Sequence, residues 1–148
     1  MLVTMDMLER LSFFWDPLGF IGDLIEKEWE VRDSSSEKEC EEALYGFLHR
    51  RLPDLQIVNQ YGRGRAHVDL MVQDKVMIEL KYELASTSEC QRLLGQVLDY
   101  KDWGQQLLLV FVGGVEPSLL KQIRRHLDEQ FSHTWSTLFE SGYRIVQK

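Results

Sequence analysis

The stretch AHVDLMVQDKVMIELKY, residues 66–82, decides how this chain is read. Two runs rich in Val, Ile, Leu and Met flank the polar Gln73-Asp74-Lys75, a pattern that predicts a hairpin of strands Ala66–Val72 and Val76–Tyr82. Strand side chains alternate, so Ala66, Val68, Leu70 and Val72 are expected on one face and His67, Asp69 and Met71 on the other. In the second strand Val76, Ile78, Leu80 and Tyr82 form one set and Met77, Glu79 and Lys81 the other. A three-residue turn pairs Val72 with Val76 and sets Asp69 opposite Glu79, whereas a two-residue turn would set Asp69 against Ile78. Turn length therefore decides whether two carboxylates meet. Neighbouring carboxylates repel unless a proton or cation lies between them. Hard oxygen ligands favour Mg²⁺, which keeps several of its waters. Lys81 projects beside Glu79, where an amine can orient a metal-bound water or stabilise charge on phosphate.

Upstream, Leu55–Gln60 reads as a strand and Tyr61-Gly62-Arg63-Gly64-Arg65 as a glycine-punctuated turn. Arg63 and Arg65 would sit beside the acidic pair, either holding substrate phosphate or keeping the turn soluble. A helix is expected over Glu37–Leu52, opened by a Ser34/Glu37 capping box and stopped by Pro53. Cys40, Leu44, Phe47, Leu48 and Leu52 form its apolar face. Glu41 falls at the flank of that stripe and is the choice for a third carboxylate, while Glu39 and Glu42 point outward.

Downstream, a helix opens at Thr87 or Ser88 and ends near Gly104. Gln106–Val112 is an apolar run expected at the sheet centre. Gly113-Gly114 turns the chain, and Pro117 begins a helix lined by Leu120, Ile123, Leu127 and Phe131. Tyr143–Val146 reads as an edge strand. The order helix, three strands, helix, strand, helix, short strand predicts an α/β fold with a mixed sheet flanked by helices.

Residues 1–33 read as an aromatic-rich N-terminal helical arm broken at Asp16-Pro17, and 34–148 as the main domain. The chain carries 24 acidic and 17 basic residues, a net charge of −7, which argues against a general nucleic-acid coat protein. The longest apolar run, Leu107–Val115, is too short to span a bilayer, and neither a signal peptide nor an anchor is expected. Cys40 and Cys90 read as buried thiols suited to a reducing, cytoplasmic compartment.

Asp69, nine intervening residues and then Glu79-Leu80-Lys81 resemble the PD-(D/E)XK nuclease superfamily, whose members include type II restriction endonucleases and archaeal Holliday-junction resolvases. The resemblance covers roughly Glu37 to Gly114. Glu41 matches the family's acidic first helix, and Gln96 and Tyr100 match a glutamine and tyrosine that several branches carry after the motif. The proline that the family places before its first aspartate is replaced by Val68. The resemblance implies a restriction-endonuclease-like fold. It further implies that Asp69, Glu79 and the Leu80 carbonyl bind Mg²⁺, for which Mn²⁺ can substitute, with Glu41 supporting the metal. Lys81 would activate the attacking water, and Gln96 and Tyr100 would contact a nucleic-acid substrate, DNA in the first instance. The implied reaction is phosphodiester hydrolysis. The competing expectation is an inactive nuclease-fold protein serving as an interaction or assembly module, in keeping with the acidic charge. The aromatic arm suits a partner or a homodimer.

Overall fold

A computed structural model describes residues 5–32, 34–64, 66–131 and 142–148, with Arg63 described through its backbone alone. Helix α1 (Met7–Trp15) begins at an Asp6 capping box with Glu9. Asp16 ends it and at once caps α2 (Pro17–Glu28), accepting the Gly19 amide, with Pro17 in the first turn where its missing N–H costs nothing. Helix α3 (Glu37–Arg51) is capped by Ser36 rather than Ser34. Ser36 accepts the Glu39 amide, and the Glu39 carboxylate reaches back to Ser35. Glu37 is thereby freed from capping, and its carboxylate accepts the Tyr82 amide at 3.3 Å.

The remaining elements are β1 (Ile57–Arg63), β2 (Ala66–Val72), β3 (Val76–Leu84), α4 (Thr87–Tyr100), a 3₁₀ turn (Lys101–Trp103), β4 (Gln106–Val115), α5 (Pro117–Phe131) and β5 (Tyr143–Gln147). They build an α/β fold around one five-stranded mixed sheet in the order β1-β2-β3-β4-β5. β1–β2 and β2–β3 are antiparallel, while β3–β4 and β4–β5 are parallel, with α4 between β3 and β4 in the chain and α5 between β4 and β5. β3 is therefore the central strand, with the apolar β4 beside it. β1 extends through Gly62 into Arg63, so the turn to β2 is tighter than the five residues expected. β4 likewise continues through Gly113-Gly114, both at positive φ, before α5 begins.

Helices cover both faces of the sheet. Leu18, Ile21 and Ile25 of α2 and Cys40, Leu44 and Leu48 of α3 pack against Leu70, Ile78, Leu80, Leu108 and Val110. The opposite layer joins Cys90, Leu93 and Val97 of α4 and Ile123 and Leu127 of α5 to Met71, Met77, Leu107, Leu109 and Phe111. Leu119, rather than Leu120, is the buried residue in the first turn of α5. Both cysteines are free and buried, one in each layer. Residues of α2 thus share a core with the central strands. On α1 only Phe13 is buried, and Met7, Leu8, Phe14 and Trp15 stand in solvent. Among the described residues no helix is long and apolar enough to cross a membrane.

Candidate acidic site

The β2–β3 hairpin turns through three residues, and Val72 pairs with Val76, Met71 with Met77 and Leu70 with Ile78. Continued by one step, this register sets Asp69 against Glu79. The ladder stops there. Asp69 also lacks a ladder partner on its other side, where Asn59–Leu70 and Tyr61–Val68 bracket Gln60, a residue at φ 52°. The strand is distorted at this one point. Val68, expected on the face of Leu70 and Val72, packs instead with Met71 in the opposite layer. The Asp69 carboxylate takes up a hydrogen bond that the ladder leaves open, accepting the Leu80 amide at 2.8 Å.

Glu79 is the buried charged residue of the core, 2% exposed. A lone carboxylate so placed would carry a large desolvation cost. Three donors meet it: the Tyr100 hydroxyl at 3.0 Å, the Lys81 ammonium at 3.4 Å and the Asp69 backbone amide. Tyr100 lies wholly buried at the C-terminal end of α4, and its hydroxyl also contacts the His67 carbonyl. It therefore braces Glu79 and β2 rather than presenting itself to a substrate, as had been expected. Glu41 projects from α3 to the same place, accepts a hydrogen bond from the Gln60 amide group, and lies within hydrogen-bonding contact of Asp69.

Burial, and then the Glu79 charge, push the Asp69 carboxyl well above the ordinary carboxylate range, against the smaller opposing effect of the Leu80 amide. Burial also raises Glu79, with Lys81 and Tyr100 pulling the other way. Glu41 is raised by burial, its bond to Gln60 opposing the shift. Three carboxylates, Glu41 bonded to Asp69 and Asp69 near enough to Glu79 for their charges to repel, have Lys81 beside them and hold more negative charge than a partly buried site tolerates. A proton or a cation relieves it. Among the described residues no three Asp, Glu, His or Cys side chains are disposed as a ready-made metal cage. One or two carboxylates and several waters suffice for a Mg²⁺-type ion, and Asp69 and Glu79 are the side chains that could hold one here.

The other predicted positions fare differently. Gln96 is half-buried with its side-chain oxygen enclosed and, among the described residues, unpartnered. Leu80 contributes its amide to Asp69 and its side chain to the core. Arg65 and the side chain of Arg63 lie outside the described residues. Sequence reasoning passed over Gln60, because the expected turn over 61–65 would set it opposite Ala66, and only the extension of β1 into Arg63 brings it beside Asp69. It also passed over Arg92, which precedes Gln96 and Tyr100 at the four-residue spacing that aligns side chains along α4.

Fold and site together define an α/β protein with a buried acidic centre at the distorted middle of a mixed sheet. No protein-family model matches the chain, and no curated protein sequence matches it. Among solved structures, it is similar to Pyrococcus furiosus SfsA, solved in complex with Ca²⁺, with a TM-score of 0.44 and 14% identity. That likeness covers 74% of this chain and 56% of SfsA, so the chain spans little more than half of that protein's length.

Proposed function

We propose that the chain is a Mg²⁺-dependent nuclease of the PD-(D/E)XK type, hydrolysing phosphodiester bonds. The observation that carries this reading is the meeting of Asp69, Glu79 and Lys81 where β2 and β3 lose their ladder, with Glu41 reaching the same point from α3. Ordinary solvated strand faces do not bury a glutamate or leave a lysine side chain only 15% exposed. Asp69 and Glu79 would hold the cation, and Glu41 would support it. The bound ion would neutralise charge on the scissile phosphate and make its water more acidic. Lys81, already bonded to Glu79, would orient the attacking water and donate hydrogen bonds to the phosphate oxygens as negative charge grows there. Tyr100 and Gln60 would act as positioning residues, fixing Glu79 and Glu41.

The test is cleavage of labelled single- and double-stranded DNA and RNA with Mg²⁺ or Mn²⁺. We expect cutting by the wild type that vanishes in Glu79→Gln. A wild type that binds neither ion and cuts none of the substrates removes the proposal. The second reading, an inactive module on the same scaffold, is favoured by the solvent-facing Met7, Leu8, Phe14 and Trp15 of α1, which suit a partner or a second copy. That reading predicts no metal binding and a change of sedimentation on Trp15→Ser.

A further inference from the structure

Beside the acidic site lies a cleft of about 220 Å³, lined by Glu37, Lys81, Tyr82, Leu84, Glu89 and Arg92. Its walls come from the start of α3, the end of β3 and the first turns of α4. The cleft connects with the site through Lys81, whose ammonium contacts Glu79. Arg92 is exposed and, among the described residues, makes no hydrogen bond or ion pair, so its guanidinium is available to a ligand. Tyr82 adds an aromatic ring to the wall.

We propose that this cleft binds one phosphodiester strand of a single-stranded polynucleotide, with Arg92 gripping a phosphate next to the one presented to Lys81. This rests on the nuclease reading and names the substrate class for it. Depth argues for a single strand. Lys81 is only 15% exposed, so a phosphate reaching its ammonium must enter the cleft rather than graze its mouth. Chemistry agrees as well. A guanidinium is the side chain best suited to grip a phosphate, and an aromatic wall accepts an unstacked base of any identity. The carboxylates of Glu37 and Glu89 in the same wall oppose a rigid, densely charged duplex more than a thin strand whose phosphates can be spaced around them.

The experiment measures binding and turnover separately. Fluorescence anisotropy without divalent ions follows labelled oligothymidylate, oligouridylate and a covalently closed hairpin-capped duplex, on wild type, Arg92→Gln and Arg92→Lys. Circular dichroism checks that each variant is folded. We expect single strands to bind more tightly than the closed duplex. Arg92→Gln should weaken single-strand binding about tenfold, leave duplex binding unchanged and be partly rescued by Arg92→Lys. In turnover, Arg92→Gln should raise KM with little loss of kcat. Either ranking of the two oligonucleotides supports the proposal. Equal or tighter binding of the closed duplex, or an Arg92→Gln affinity equal to wild type, overturns it, even if cleavage is observed and the nuclease reading stands. Arg92-dependent single-strand binding without any cleavage leaves the cleft assigned and removes the nuclease reading instead.

Discussion

Lys81 carries the sharpest chemical expectation at the scale of single residues. Among the described residues it is the ammonium bonded to Glu79, and removing it takes that charge from the carboxylates together with the group proposed to orient the water. Lys81→Ala should keep the fold and lower kcat by about 10²–10⁴-fold. A variant that cuts at the wild-type rate would take Lys81 out of the mechanism. Asp69→Asn makes a complementary point. Asparagine keeps an acceptor for the Leu80 amide and needs no proton taken up on folding, so the metal-free protein should gain about 1–2 kcal/mol at neutral pH. Urea denaturation measures it, and a loss of stability would mean that the carboxylates do not strain the fold. Tyr100→Phe should cost about 1–3 kcal/mol, because the His67 carbonyl and Glu79 both lose their buried partner.

At the scale of elements, Asp16 has two jobs within two residues. It closes α1 through its backbone amide and opens α2 through its carboxylate. Asp16→Ala should destabilise the protein by about 0.5–2 kcal/mol, the usual cost of a lost N-cap. Because α2 lies in the same apolar layer as the central strands, the loss should appear in the main unfolding transition. An early, separate transition would instead mean that α1 and α2 unfold by themselves. The hairpin shows how local chemistry fixes distant geometry. Gln73 and Asp74 adopt positive φ, which lets three residues close the turn, and Val72 and Val76 are thereby paired. Closing the same sequence through two turn residues would pair Val72 with Lys75, move Asp69 from Glu79 to Ile78 and turn every later side chain of β3 to the wrong layer.

For the whole molecule the consequence is a linkage between protons, metal and stability. Asp69 and Glu79 are both raised on folding, so the metal-free folded state retains protons that the unfolded chain releases above about pH 4. Their contribution to stability is therefore full in acid and is lost as pH rises through the folded-state values. A divalent ion held at the proposed site would need those carboxylates ionised and would bind the folded form alone. Millimolar Mg²⁺ should raise the melting temperature clearly at about pH 8 and hardly at about pH 5.5. Equal shifts at the two pH values would place the ion elsewhere. The net charge of −7 adds a second expectation, weak binding to bare duplex that falls further with salt.

The path from sequence to site divides along a physical line. Alternation, turn length and helical spacing are local properties. They are enough to anticipate the Val72–Val76 register, a last strand over Tyr143–Val146, one residue short of the observed β5, and the nearness of Glu41 to the sheet. The cap at Ser36, the extension of β1 through Gly62 and the reversal of Val68 were not legible, because each depends on packing or on hydrogen bonds between segments distant in sequence. The same holds for the centre itself. Sequence alone determined which carboxylates share a hairpin. Only the tertiary structure decided that Glu79 is buried, that Tyr100 turns inward to brace it, and that Arg92 borders a cleft, since burial and the meeting of α4 with β3 are set by how whole layers close on the sheet.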